Sequence, residues 1–123
     1  MYVLIVDSHE LFAHTLVTVL VNVGMQALST AEPSEALTAI RQQPPAVILL
    51  DLESAEQHPA LLEAIHHASS HPIPVIGMAL RLLTEREVAQ RGLRGYLSKP
   101  FEIDALLAVV QSYVKADNHT PSQ

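Results

Sequence analysis

The chain has no cysteine, which removes disulfides, thiol catalysis and thiolate metal sites together. Tryptophan is also missing, and with only two Phe and three Tyr the core must be aliphatic, built from Val, Leu, Ile and Ala. Basic charge is scarce: seven Lys and Arg stand against thirteen Asp and Glu, a formal net charge of −6. That sign makes bare nucleic acid or an anionic membrane a poor partner, and no direct contact with either is expected. The sequence has no run of about 18 apolar residues to span a bilayer. Its opening, Met1-Tyr2-Val3-Leu4-Ile5-Val6-Asp7, lacks the basic n-region of a signal peptide. A soluble, cytoplasmic domain is the expectation. What is present is a composition 49% hydrophobic and 16% charged over 123 residues, which excludes disorder and suits a single domain.

Three nearly continuous apolar runs of strand length stand out: Tyr2 to Val6, Ala46 to Leu50 and Ile73 to Met78. Strands covered by helices on both faces read this way, because neither side alternates with polar residues. Gln26 to Thr30 and Gly95 to Ser98 are weaker strand signals. Between them lie segments of helical period: His9 to Val23, Pro33 to Gln42, Pro59 to Ser69, Leu82 to Arg91 and Glu102 to Lys115. Gly24 and Gly92 stop the first and fourth helices, Pro33 opens the second, and Pro44-Pro45 precedes the third strand. Thr84 and Glu87 have capping-box spacing, which would start the fourth helix two residues after Leu82.

Strand and helix alternating five times predict a parallel sheet with right-handed crossovers. The expected fold is a flavodoxin-like three-layer α/β/α sandwich, strand order 2-1-3-4-5, over residues 1–116. Residues 117–123 carry no apolar anchor and read as a tail or the start of a linker. In such sheets functional groups gather beyond the C-terminal strand ends where the strand order reverses, here between strands one and three. That places Asp7, Ser8, Asp51, Glu53, Ala79 and Lys99 near one another. Two carboxylates and a lysine above a parallel sheet can hold a phosphoryl group, a hydrated Mg²⁺, or only each other.

Three strings together carry a resemblance: Val3-Leu4-Ile5-Val6-Asp7-Ser8-His9-Glu10-Leu11, Val47-Ile48-Leu49-Leu50-Asp51-Leu52 and Gly95-Tyr96-Leu97-Ser98-Lys99-Pro100-Phe101. The chain resembles the receiver domain of two-component response regulators, in a degenerate, pseudo-receiver-like form. The resemblance implies Asp51 as phosphoacceptor, Lys99 as its phosphoryl-contacting partner, and Ala79 and Tyr96 as the switch positions. It also implies a Mg²⁺ site from Asp7, Asp51 and the Glu53 backbone carbonyl, and often a cis peptide bond before Pro100.

The departures are chemical. Ser8 stands where the family usually has a second acid that ligates Mg²⁺, and a neutral hydroxyl is a far weaker ligand. Ala79 stands where a Thr or Ser hydrogen-bonds the phosphoryl group, and Tyr96 then has no hydroxyl to follow. Leu80 replaces a small residue, and the loop Leu52-Glu53-Ser54-Ala55-Glu56-Gln57-His58-Pro59 lacks the usual Met-Pro and Gly. Unit charges about 4 Å apart interact by roughly 4 kcal/mol at an effective dielectric near 20, so losing one carboxylate weakens Mg²⁺ binding by orders of magnitude. The Glu53 side chain either restores negative charge to the pocket or repels an incoming donor.

The implied function is a signalling module of a two-component or phosphorelay system, not an enzyme, with weak or absent Mg²⁺-dependent phosphorylation at Asp51. The partner would be a histidine kinase or another signalling protein. A conventional receiver phosphorylated on Asp51 by a histidine kinase is the first alternative. A small flavodoxin-like enzyme or nucleotide binder is the second, and it lacks support: Gly24, Gly77, Gly92 and Gly95 form no phosphate loop.

Surface features admit two readings each. Arg81, Arg86, Arg91 and Arg94 cluster around the fourth helix, as a solvated face or as a homodimer face formed by helix four, strand five and helix five. Glu102 and Asp104 are its complement, though they also suit a helix N-terminus. In helix one, Phe12, Val19 and Val23 are hard to bury on one face with Leu16 and Leu20, so that helix is either deeply packed or a second partner surface. His66, His67 and His71 read as surface residues, since adjacent helical positions point about 100° apart rather than converging on a metal.

Overall fold

The structure is a computed structural model and describes residues 1–118. Five strands, β1 (Val3–Val6), β2 (Ala27–Thr30), β3 (Val47–Asp51), β4 (Val75–Ala79) and β5 (Gly95–Ser98), form one parallel sheet in the order β2-β1-β3-β4-β5. This is the expected flavodoxin-like arrangement. Every residue of β1, β3 and β4 is buried, whereas the edge strands β2 and β5 are largely half-buried. The difference explains why the three inner strands are unbroken apolar runs and the two edges are weak signals.

Helices α1 (Glu10–Asn22) and α6 (Ile103–Asn118) cover one face. Their Ala13, Leu16, Leu20, Leu106, Val110 and Val114 pack on Val3, Ile5, Val47, Leu49, Ile76 and Met78. On the other face lie α2 (Pro33–Gln42), α3 (Leu52–Glu56), α4 (Leu61–His67) and α5 (Glu85–Gln90), anchored by Ile40, Leu52, Leu61, Ile65 and Leu93. Each buried leucine or isoleucine contributes about 1.5–3 kcal/mol against exposure.

Local chemistry sets several boundaries. Thr84 caps α5 through a complete capping box with Glu87, so that helix begins at Glu85 rather than at Leu82. Gly24 and Gly92 follow their helices at φ +89° and +72°, a left-handed conformation that favours glycine. The third predicted helix, Pro59 to Ser69, is shorter at Leu61–His67, and α3, unforeseen, fills part of the loop before it. Helix α6 runs on through Asp117 and Asn118, two residues into the segment expected as tail. The rest of that segment, 119–123, lies outside the described residues.

Phe12 and Val19 of α1 are half-buried against the core, while Leu11, Val21 and Val23 stay exposed at 84%, 52% and 46%. Helix one is thus both deeply packed and fringed with apolar surface. Among the described residues no helix is long and apolar enough to cross a membrane.

Candidate functional site

The sheet order reverses between β1 and β3, where Val6 pairs with Leu50, so the next residues along each strand emerge side by side. Those residues are Asp7 and Asp51, both essentially inaccessible to solvent. Lys99 follows β5, and its amide donates to the Ala79 carbonyl at 2.7 Å, which fixes the lysine backbone at the end of β4. The side chain then reaches across β4, and Nζ donates to Asp7 Oδ2 and Asp51 Oδ1 at 3.0 Å each. The ammonium also sits 4.5 Å from the centre of the Phe12 ring, which packs edge-on against Phe101. The chain's only two phenylalanines therefore support Lys99 at this site. The Lys99–Pro100 bond is cis, as the resemblance implied.

Each carboxylate has its second oxygen on the opposite side. Asp7 Oδ1 accepts from the His9 amide at 2.8 Å and lies 3.0 Å from His9 Nδ1. Asp51 Oδ2 accepts from the Ser54 hydroxyl at 2.5 Å and from the Ser54 amide at 3.2 Å, which makes Asp51 the N-cap of α3. Burial alone would push the Asp51 carboxyl up, but the Ser54 hydroxyl, the Lys99 ammonium and the Ser54 amide outweigh it and hold Asp51 below its ordinary value. Burial likewise works against the charged form of Lys99, and its hydrogen bonds and attraction to Asp7 and Asp51 raise it above the usual lysine value.

The other expected residues stand apart from this triad. Ser8 is exposed and turned toward Ser54, their hydroxyl oxygens 2.7 Å apart. Glu53 uses its carboxylate to accept from the Leu80 amide at 3.4 Å rather than joining Asp7 and Asp51. Ala79 is fully buried at the end of β4, and its methyl group offers no hydrogen bond. Tyr96 donates its hydroxyl to the Arg81 carbonyl, docking on the loop between β4 and α5. That loop is also tied to α3, because the Arg81 guanidinium pairs with Glu56 as well as with Glu87.

Sequence reasoning missed His9, Ser54 and Phe12. Of the seven histidines, His66, His67 and His71 are exposed, as their spacing predicts. His9 was the informative one, two residues past a strand-end aspartate. For Ser54 the available signal was Asp51 as a helix N-cap three residues ahead of it.

Over the triad opens a cleft of about 790 Å³, lined by Ser8, His9, Leu11, Leu80, Lys99 and Pro100 among others. Two buried carboxylates held by one lysine retain a net charge of about −1, which suits a divalent cation or a group brought in with one. The donors present fit a divalent metal: Asp7 and Asp51 would hold it, and it would neutralise charge on incoming phosphoryl oxygens. The chain's own groups orient those carboxylates and keep one oxygen of each turned toward His9.

Fold and site define a class: a parallel α/β domain with an acid pair and a lysine at its switch point. The sequence profile of the response regulator receiver domain matches residues 3–111, and the chain belongs to that family. Among curated relatives, the virulence transcriptional regulatory protein PhoP of Salmonella choleraesuis is 26% identical over all of this chain and 56% of its own length. The DNA-binding response regulator MtrA of Mycolicibacterium smegmatis is 27% identical over 98% of this chain and 54% of its own length. The chain thus spans about half the length of the curated relatives it matches. Among solved structures, a two-component response regulator from Clostridium difficile superposes with a TM-score of 0.81 at 20% identity, covering 97% of this chain and 99% of the other. NtrX from Brucella abortus, solved with ADP, gives 0.78 at 25% identity over 96% of this chain and 27% of its own. Receiver domains are signalling modules that bind Mg²⁺ at an acidic site and interact with histidine kinases, and this chain carries that fold and acid pair.

Proposed function

We propose that this chain is a receiver module in which Mg²⁺-dependent phosphorylation of Asp51 is weak or absent, so that it signals through protein contacts. One observation carries the reading. Both oxygens of Asp51 are committed within the chain, Oδ1 to Lys99 and Oδ2 to Ser54, while the neighbouring Ala79 supplies no hydroxyl to receive a phosphoryl group. Ser8 adds to it, since its hydroxyl is turned to Ser54 and brings no charge to a cation. With Ala79 in place, no hydroxyl at the end of β4 draws Tyr96 away from its hydrogen bond to Arg81, so the usual path from acceptor to surface through that residue is cut.

The test is exposure of the purified chain to an acyl phosphate with Mg²⁺, read by intact mass. Little or no phosphoryl adduct is expected. Rapid modification abolished by Asp51→Asn would establish the conventional receiver reading instead.

The partner surface follows from charge. Arg86 and Arg94 take part in no ion pair among the described residues, and the acids Glu102 and Asp104 lie at the start of α6 on the adjoining element. A homodimer through α5, β5 and α6 would pair them across a two-fold axis, with exposed Ile103 at the contact. The exposed apolar residues of α1 form the competing dimer surface. A monomer by light scattering at high concentration would rule out both.

A further inference from the structure

The two faces of the acid pair have different occupants, and the difference bears on which metal the site accepts. Lys99 takes one oxygen from each carboxylate. The remaining oxygens, Asp7 Oδ1 and Asp51 Oδ2, face the His9 ring, with Nδ1 3.0 Å from the first and 3.9 Å from the second. All three ligand atoms lie within 4.8 Å of one another. Ligands about 2.1 Å from a shared metal sit roughly 3.0–3.4 Å apart, so the His9–Asp7 edge already fits, the His9–Asp51 edge has to close by about half an ångström, and the carboxylate–carboxylate edge lies within 4.8 Å. His9 can make that movement, because its side chain is 65% exposed while both carboxylates are buried.

The carboxylate that would favour Mg²⁺ is missing at Ser8, and a ring nitrogen faces the acid pair instead. Mg²⁺ demands oxygen ligands and gains little from imidazole, whereas Zn²⁺, Co²⁺ and Ni²⁺ bind it readily. We propose that His9 Nδ1, Asp7 Oδ1 and Asp51 Oδ2 form a mixed imidazole–carboxylate site that selects an imidazole-accepting divalent transition metal over Mg²⁺. In the bound state the imidazole is neutral and carries its proton on Nε2. The surrounding groups already orient the ligands: the His9 amide holds Asp7 Oδ1, Ser54 holds Asp51 Oδ2, and Lys99 holds the opposite edge of both.

This inference rests on the acid pair being the cation-binding part of a receiver site, and the experiment separates the two. Calorimetric titration of the chain with Mg²⁺, Zn²⁺ and Co²⁺, with the visible absorption of Co²⁺ as a second readout, is run on the wild type, His9→Ala, Asp7→Asn and Asp51→Asn. Co²⁺ and Zn²⁺ are expected to bind at least about tenfold more tightly than Mg²⁺. His9→Ala should lower their affinity at least about tenfold and leave Mg²⁺ within about twofold. Equal wild-type affinities for Co²⁺ and Mg²⁺, or Co²⁺ binding that survives His9→Ala, would overturn the selectivity claim alone. Co²⁺ binding undiminished in Asp7→Asn would assign it to surface histidines and overturn the claim as well. Mg²⁺ affinity unchanged in Asp51→Asn would instead sink the receiver reading of the acid pair, and with it the inference.

Discussion

Ser54 binds Asp51 twice, hydroxyl to Oδ2 at 2.5 Å and amide to Oδ2 at 3.2 Å, so the proposed phosphoacceptor is also the N-cap of a short helix. Attachment of a phosphoryl group at Asp51 Oδ2 would compete with that cap. Because α3 carries Glu53, bonded to the Leu80 amide, and Glu56, paired with Arg81 and Arg91, release of the cap would be felt in the loop that holds Tyr96.

Ser54→Ala removes the hydroxyl and keeps the amide. Hydrogen bonds to charged groups contribute about 1.5–3 kcal/mol net, so urea unfolding at neutral pH should show a loss near the lower figure. The same variant removes the shorter of the two bonds to Asp51 Oδ2, and any slow acyl phosphate modification of the wild type should become faster. Unchanged stability would mean that water satisfies Asp51 Oδ2 as well as the hydroxyl does.

Lys99→Met leaves two adjacent buried carboxylates without their cation. Breaking a buried pair from one side costs about 3–5 kcal/mol, and the lower end is expected because Lys99 lines an open cleft that admits water to the vacated position. Adding a divalent cation should recover part of the loss. A variant as stable as the wild type without metal would show that the acid pair is more hydrated than its burial implies.

Acid should destabilise the fold through Asp51. Its folded-state value lies below the ordinary one near 3.9, so its contribution is complete above that pH and is lost as pH falls through the lower folded value. Lys99 has the opposite sign: its value is raised, so its contribution is complete below about 10.4 and fades as pH rises beyond it. Denaturation followed from pH 2 to 11 should show both limbs, within roughly those ranges. Asp51→Asn should flatten the acid limb, and an unaltered limb would place the titrating group elsewhere.

Ser8→Asp should raise Mg²⁺ affinity by at least about tenfold, since a carboxylate about 4 Å from a cation is worth several kcal/mol before screening. Adding Ala79→Thr should improve binding of a phosphoryl analogue further. No gain from the pair of changes would make the α3 cap on Asp51 the obstacle.

Thr84→Ala tests the neighbouring loop without touching the acid pair. Losing a capping-box threonine costs about 1 kcal/mol, and metal affinities should not move. A change in Mg²⁺ or Co²⁺ binding would reveal coupling between α5 and the site.

The inner strands were legible because burial on both faces forces a continuous apolar run, as in Val47-Ile48-Leu49-Leu50. The start of α5 was legible too, because the Thr84–Glu87 box is local chemistry three residues long. Helix α3 was not, since its cap is an aspartate whose own position depends on the sheet. The extents of α4 and α6 were misjudged at their ends, where helical pattern does not mark the last turn.

By itself the sequence determined the layer architecture, the strand order and the approach of Asp7, Asp51 and Lys99, because periodicity and handedness leave few ways to wind five such units. Only the tertiary structure decided how those groups share their bonds. Lys99 holds one edge of both carboxylates, Ser54 and His9 hold the other, and Ser8 and Glu53 turn away. Those choices are settled by distances of a few tenths of an ångström between side chains far apart in the chain, which no spacing of letters records.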